Sequence, residues 1–453
     1  MKLTTSFLAL LAIVLAPSVA LAQQTYILTA RAWGPAQVAA VAAAGGTVVF
    51  GHDGAGVGVA TSSATDFASL VRASNAIASV EGDRVVQWQL PLITADVDES
   101  FTNPPNNDTF FNGVQWAPQA IDAPAAWASG CTGNGVRVAI LDGGIRSTHV
   151  DLVANLDVAA SASFVPGFSF NQDVGTFWHG THVAGIVAAA DNNIGTIGIA
   201  PQARLIGVKV LHNGSGSFAA VIQGILYAST PLAQGGGGAD IINMSLGAVF
   251  AKNDTGAGQL VAAMNKAVNY ANRYGVLVVS AAGNDALDLD HSGNLISVPA
   301  QSGAGVSVSA TGPMGFALGA TDFDRPASYT NYGTSAINVA APGGDFALPG
   351  SAVCSLPRTP TGSVVIPCWV ADMVISTSRG SGASTSSYSW AAGTSMAAPA
   401  AAAVAAIIKQ KNPNISLGAL KTALQNSAID AGKNGADPFY GKGWVNALRA
   451  CQY

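Results

Sequence analysis

Residues 138–145 read Val138-Ala139-Ile140-Leu141-Asp142-Gly143-Gly144-Ile145. An unbroken apolar run stops at an acid and two glycines. A strand with one wet face would alternate polar and apolar residues, whereas a continuous run is a strand covered on both faces. A carboxylate at the end of such a strand stands where open α/β sheets gather their chemistry.

Working outward, Val136 to Leu141 reads as the buried strand and Thr181 to Ala190 as a helix with Val183, Ile186, Val187 and Ala190 on one face. Leu205 to Leu211 and Ile241 to Leu246 read as strands, with a helical segment near Ala219 to Ala228 between them. Gln259 to Tyr274 is helical and Val276 to Ser280 is again a strand. Strands alternating with helices predict an α/β domain: a mostly parallel sheet between two helical layers, from about residue 113 to 453.

Three further polar residues fall at element ends in this pattern. His179 opens a helix in His179-Gly180-Thr181-His182-Val183-Ala184-Gly185. Asn284 follows a strand, in Ala281-Ala282-Gly283-Asn284. Ser395 precedes an Ala-rich helix in Gly393-Thr394-Ser395-Met396-Ala397-Ala398-Pro399. Each alone has an ordinary structural reading as a cap or turn residue. Together they make an acyl-transfer set. A serine hydroxyl needs a base to take its proton, a histidine does this near neutral pH, and a carboxylate fixes its tautomer. A helix start and an Asn amide supply donors for an oxyanion.

The Asp142, His179 and Ser395 segments resemble the three catalytic motifs of subtilisin-like serine peptidases, in the order Asp, His, Ser. Asn243-Met244-Ser245-Leu246-Gly247, Asn331-Tyr332-Gly333 with Ala341-Pro342-Gly343, and Tyr440-Gly441-Lys442-Gly443-Trp444-Val445-Asn446-Ala447 extend the resemblance over about residues 113 to 450. It implies that Ser395 is the nucleophile, His179 the general base, Asp142 its orienting carboxylate and Asn284 an oxyanion donor. His182 would be structural. Ser245, Leu246 and Gly247 resemble the strand beside the primary specificity pocket, and Gly214, Ser215 and Gly216 the opposite edge strand. Asp151 and Asn192, the latter in Asp191-Asn192-Asn193-Ile194-Gly195, resemble ligands of a structural calcium ion. No cofactor is implied for the chemistry. The rival on the same fold, a catalytically inactive binding protein, would lack one of the four residues. A serine esterase with a Gly-x-Ser-x-Gly elbow is not supported, because that motif does not occur.

The N-terminus has its own organisation. Lys2, the apolar run Phe7 to Leu15, Pro17 and Ala20-Leu21-Ala22 read as an export signal over residues 1–22. The run is shorter than the roughly 20 residues a membrane span needs, so no anchor is expected. Residues 23–90 carry the order β-α-β-β-α-β of a small α+β ferredoxin-like unit. The family resemblance makes it a propeptide that assists folding and blocks the cleft. Pro91 to Asn112, with Asn103-Pro104-Pro105-Asn106-Asn107 at its centre, reads as an exposed cleavable linker, the cut lying between Trp88 and Asn112.

The signal and the family resemblance together imply an exported protein, secreted or periplasmic, acting on polypeptides, and a monomer is expected. Lys and Arg number 20 against 25 Asp and Glu, and no basic run suggests nucleic acid. Cys131, Cys354, Cys368 and Cys451 allow three pairings. Cys354 with Cys368 is favoured because it closes a short Pro/Ser-rich loop, which leaves Cys131 with Cys451. Two departures from the family stand out: Ala400 replaces a usual His, and the Ser/Gly-rich stretch Gly344 to Trp390 is long and is expected to overhang the cleft.

Overall fold

In the computed structural model, residues 22–87, 109–174, 178–358, 362–379 and 385–453 are described, together with the backbone of 92–98. The expected export signal and the centre of the linker lie outside them.

The N-terminal unit runs β1 (Gln24–Thr29), α1 (Pro35–Ala43), β2 (Gly46–His52), β3 (Val57–Ser62), α2 (Phe67–Arg72) and β4 (Ser79–Gly82). Its antiparallel sheet has the order β2-β3-β1-β4. Pro35 opens α1 because its missing N–H is one that no helix start can use internally, and Gln37 turns back to accept from Gly34 N–H at 2.9 Å. Alternation in β1 sends Tyr26 and Leu28 to the unit's own core and Ile27 the other way. Ile27, Val57 and Val59 join the core of the large domain that comes after this unit in the chain.

Two strands come next. The expected strand at Arg84 to Trp88 is β5 (Val85–Gln87), and it pairs outside its own unit, on an edge of the large domain. The segment read as exposed linker begins with β6 (Leu92–Asp98). Its composition of Asp and Thr among apolar residues hid a strand that forms only because an open edge is offered to it.

The large domain contains α3 (Ala117–Ala120), α4 (Ala123–Ala128), β7 (Arg137–Asp142), β8 (Ala162–Ser163), α5 (His179–Ala188), β9 (Arg204–Lys209), β10 (Ser215–Ser217), α6 (Phe218–Ser229), β11 (Ile241–Met244), β12 (Ala248–Ala251), α7 (Ala257–Arg273), β13 (Leu277–Ala281), β14 (Leu295–Val298), β15 (Val306–Thr311), β16 (Val339–Pro342), β17 (Val353–Pro357), β18 (Ser363–Pro367), β19 (Val374–Ser378), β20 (Ser387–Ala392), α8 (Thr394–Lys411), α9 (Leu417–Asn426) and α10 (Ala447–Cys451). Seven strands form one sheet in the order β16-β15-β13-β11-β7-β9-β8, every neighbour parallel. In β7, Val138 and Ile140 face the core shared with α5 and α8, while Ala139 and Leu141 face α6 and α7. This is the three-layer arrangement that the uninterrupted apolar strands require. Helix α8 is buried from Thr394 to Ile408, and its Ala-rich surface lets it lie close to β13, β15 and β16. Ala400 is one of these buried residues. Among the described residues no helix is long and apolar enough to cross a membrane.

Both expected disulfides are present. Cys131–Cys451 ties the end of α4 to α10, and Cys354–Cys368 closes the β17–β18 hairpin. The hairpin lies within the long stretch Gly344 to Trp390. Its inward side chains Leu356, Val364 and Ile366 enter the core, and Pro357 O lies against Gly113. The hairpin is therefore packed on the domain through apolar contacts that the Ser/Gly-rich composition of the stretch concealed.

Candidate active site

The carboxyl end of β7 delivers Asp142, and α5 begins at His179 beside it. Their approach depends on Gly180: a Cβ there would stand 2.1 Å from Gly144 O and 3.0 Å from Asp142 Cβ. Asp142 Oδ2 lies 2.7 Å from His179 Nδ1, and Oδ1 accepts from Gly143 N–H at 2.6 Å. Both side chains are buried, so this bond works in a medium that screens it poorly. Nδ1 is thereby the donor nitrogen, which leaves Nε2 as the acceptor nitrogen of the neutral ring.

A second buried carboxylate supports this corner. Asp173 Oδ2 accepts from Thr181 N–H at 3.0 Å and Thr181 Oγ at 2.5 Å, holding the first turn of α5. Burial, with a smaller push from the Asp142 charge, raises the Asp173 carboxyl to about 7. Lys209, opposite Asp142 in the β7–β9 ladder, donates Nζ to Gly143 O and to Gln172 O. Burial lowers its pKa, and the two aspartates oppose that shift.

Ser395 is the second residue of α8. Pro399 has no N–H, so Ser395 C=O lacks the partner a helix would give it four residues on. Ser245 Oγ donates to that carbonyl at 2.7 Å, and Ser395 Oγ donates to Ser245 O at 3.2 Å. Asn243 Nδ2 in turn donates to Ser245 Oγ at 2.9 Å. A proline in the motif thus creates the vacancy that binds Ser395 to the strand after β11.

Asn284 is aimed by Thr394. Its Oδ1 accepts from Thr394 N–H at 2.9 Å and Thr394 Oγ at 2.8 Å. A backbone N–H only donates, so this end of the amide must be its oxygen and the N–H₂ group points elsewhere. Thr394 Oγ also accepts from Gly283 N–H. Asn331 braces the same turn, accepting from Asp285 N–H and Leu287 N–H and donating to Ala282 O. Asp173 and Lys209 were not singled out in the sequence, whereas Thr394 and Asn331 lay in quoted family-like segments without a role of their own.

The two segments expected to hold a peptide are also placed. Ser245, Leu246 and Gly247 continue β11 toward Ser395. On the other side, Asn213 and Gly214 both have positive φ, at 49° and 78°, in the two-residue turn closed by His212 and Ser215. Gly214 therefore makes the turn, and Ser215, Gly216 and Ser217 make the edge strand β10. That edge carries β5 antiparallel, Gln87 opposite Ser215 and Val85 opposite Ser217, with Ser215 Oγ bonded to Gln87 Oε1 at 2.7 Å. The preceding Asp83 Oδ1 accepts from Ala219 N–H at the start of α6, at 3.0 Å.

Two other histidines are structural by geometry. His182 Nε2 lies 2.9 Å from Ser389 O and His149 Nε2 2.9 Å from Ser387 O, both on β20. Burial pushes His182 down to about 3 and His149 down to about 4, so both rings are neutral donors.

Asp151 and Asn192 meet in one loop. Asp151 is fully buried; its Oδ2 accepts from Tyr388 OH at 2.9 Å and Thr196 N–H at 3.1 Å. Its Oδ1 receives Asn192 Nδ2–H at 3.3 Å, and Asn192 Oδ1 accepts from Ile194 N–H. Side-chain oxygens of this kind are the ligand type that suits a hard cation. Among the described residues no group of three or more His, Cys, Asp or Glu gathers as a metal cluster.

Comparison with known proteins agrees with this geometry. Residues 133–443 match the subtilase family, Peptidase S8. The M-protease of Shouchella clausii is 37% identical over 347 residues, covering 76% of this chain and 71% of its own. Subtilisin Savinase of Lederbergia lenta is 37% identical over 342 residues, 74% of this chain and 98% of its own. A solved protease of Pseudoalteromonas arctica superposes with a TM-score of 0.59 at 32% identity, over 77% of this chain and 99% of that one. The epidermin leader peptide processing protease of Staphylococcus aureus shares the fold over 95% of this chain and 99% of its own, with a TM-score of 0.70 at 20% identity. The chain belongs to the subtilase family and is a subtilisin-like serine endopeptidase.

Proposed function

We propose that this protein is an exported endopeptidase, made as a self-processing precursor, that hydrolyses polypeptides through Ser395, His179 and Asp142. The observation that carries this reading is the buried 2.7 Å bond between Asp142 Oδ2 and His179 Nδ1, at a sheet end that also holds Ser395 at the start of α8. Asp142 keeps Nε2 of His179 free of its proton. As a substrate carbonyl arrives, Ser395 Oγ gives up its contact with Ser245 O, passes its proton to Nε2 and attacks. The oxyanion is received by the Asn284 amide N–H and the Ser395 backbone N–H. His179 then protonates the leaving amine, and water repeats the sequence on the acyl-enzyme. No cofactor enters these steps.

Ser245, Leu246 and Gly247 on one side and Ser215 and Gly216 on the other pair with the substrate as an added strand. Residues 23–87 act as an intramolecular inhibitor, β5 lying on the substrate edge like a product. The processing bond then falls between Gln87 and Leu92. Two disulfides and the apolar run Phe7 to Leu15 support export to an oxidising compartment.

A fluorophosphonate reagent tests the assignment. Mass mapping should locate one adduct on Ser395 of the processed enzyme, with loss of casein turnover; an unlabelled Ser395 in active protein overturns it. Calcium is proposed at Asp151 and Asn192, where it would neutralise a buried carboxylate. Chelation should lower the melting temperature and added calcium restore it; an unchanged melting temperature excludes the ion.

A further inference from the structure

The corner beside His179 holds two arginines that no carboxylate matches. Arg146 follows the Asp142 turn, and its backbone N–H donates to Thr181 Oγ in the first turn of α5 at 2.9 Å. Arg379 follows the end of β19. Its Nη1 donates to Asp173 O at 3.3 Å, and its guanidinium stands 5.1 Å from the centre of the Trp178 ring. Arg146 Nη1 donates in turn to Arg379 O at 3.1 Å. Trp178 is the residue immediately before His179, which opens α5.

Electrostatically this corner is unbalanced. All three side chains belong to half-buried residues. Arg137 and Arg325 are half-buried too, and each has a carboxylate, Asp157 at 3.0 Å and Asp345. Among the described residues Arg146 and Arg379 are in no ion pair. The carboxylates of the same corner are committed elsewhere: Asp142 bonds His179 and Asp173 bonds Thr181. Burial lowers the Arg146 pKa, and the like charge of Arg379 adds to that shift. Arg146 Nε and Trp178 Nε1 are buried and have no acceptor among the described residues. A guanidinium carries five N–H donors, and each of these two spends one on a backbone carbonyl. Spare donors and two positive charges, in a place partly shielded from water, are what the oxygens of an anion would satisfy.

We propose that Arg146, Arg379 and the Trp178 indole N–H form a carboxylate-binding subsite that selects polypeptide substrates with an Asp or Glu side chain near the scissile bond. This rests on the protease reading and deepens it by naming a substrate class. The anions of an unmodified polypeptide are its Asp and Glu side chains and its carboxyl terminus. Arginine suits such a group, because its planar fork matches two carboxylate oxygens at once. Stacking on Trp178 and the bonds to backbone carbonyls hold the guanidiniums in place before a substrate arrives, so little freedom is lost on binding.

The test uses the processed enzyme and short peptides with blocked ends and neutral sequence, in which Glu replaces Gln at each position in turn. At one position Glu should raise kcat/KM over Gln by about tenfold or more, the scale of a charge-assisted hydrogen bond. The ratio should shrink as salt is raised. Arg146→Gln and Arg379→Gln should each bring it close to one, whereas Arg146→Lys and Arg379→Lys, which keep the charge, should preserve part of it. Trp178→Phe keeps the ring and loses the N–H, and should lower the ratio by a few-fold. Equal kcat/KM for Glu and Gln at every position overturns the proposal, and so does a Glu preference that survives intact in the double Gln variant. If the Gln variants lose Glu and Gln peptides in equal measure, the arginines only brace the corner and the proposal falls. A second arm compares free with amidated carboxyl termini on the neutral peptide. A gain from the free terminus, with none from Glu, assigns the corner to chain ends and overturns the side-chain assignment. If wild type cuts no peptide of the set, the protease reading fails first, and the subsite with it.

Discussion

The strands β5 and β6 both extend a sheet of the protease domain, yet they are held in different ways. β5 makes only three residue pairs on β10, but a folded unit stands behind it. That unit buries Ile27, Val57 and Val59 against the core of α6 and α7, caps α6 with Asp83, and donates from Arg84 to Thr255 O. In return, Lys266 donates to Ala30 O. β6 has the longer ladder, no unit of its own docks beside it, and after a cut between Gln87 and Leu92 the chain still joins it to the large domain. A strand alone is marginally stable, whereas one tethered to a docked domain binds at high effective concentration. Once the bond between them is cut, β5 is held by the docking of its unit and β6 by its covalent tether to the large domain. Inhibition would then persist on the side before the scissile bond for as long as the unit stays docked.

The largest effect should come from Ser395→Ala. Activity on casein should fall by about 10⁶, the scale found when subtilisin loses its nucleophile. The precursor should remain one uncut chain, with β5 and β6 both seated. Release of the N-terminal unit by this variant in isolation would show that another enzyme processes it. Asn284→Ala should lower kcat by about 10²–10³ with little change in KM, a figure that belongs to subtilisin's oxyanion amide and is carried over to this one. An unchanged kcat would mean the Asn284 amide does not face the oxyanion. A smaller effect separates the strands directly. Val59→Asp places a charge in the docked apolar face, where burial without a partner costs several kcal/mol. The separated N-terminal segment should then inhibit at least about tenfold more weakly. Equal inhibition by both forms would mean that β5 alone provides the affinity.

The sequence revealed most where a residue's role depends on its neighbours in the chain. Asp142, His179 and Ser395 sit in segments whose local pattern, strand end or helix start, already places them at the carboxyl edge of a parallel sheet. Ile27 was legible as strand but not as interface, because period-two alternation says that a face is apolar without saying what covers it. β6 was misread because a lone strand depends on an edge formed almost 300 residues later. Lys209 and Asp173 escaped for the same reason: their meaning arises from strand register and from the packing of α5, neither of which short-range spacing encodes. Ser245 stands between these cases. Its segment was recognised as a binding strand, while its bond to Ser395 O arises from Pro399, a residue 154 positions away in the chain.

The pinning of β20 by two histidines gives the comparison its pH dependence. His149 and His182 are held near 4 and 3, against about 6.5 in an unfolded chain. As pH falls through 6.5 the unfolded state takes up protons that the folded rings refuse, so each ring costs about 1.4 kcal/mol per pH unit down to its folded value. Asp173 has the opposite sign. Its folded carboxyl is raised to about 7, so the folded state takes up a proton first and gains stability between about 7 and 3.8. From pH 6 to about 4 two rings act against one carboxyl, and the net loss is near one proton's worth, about 1.4 kcal/mol per unit. Calorimetry from pH 8 to 4 should show a melting temperature that is nearly level at first and then declines. His149→Gln keeps a donor for Ser387 O without a proton to accept, and should flatten the decline. Asp173→Asn removes the opposing carboxyl and should steepen it. If His149→Gln leaves the slope intact, the ring at Ser387 is already protonated in the folded enzyme, and the β20 edge is held by a charge instead of a neutral bond.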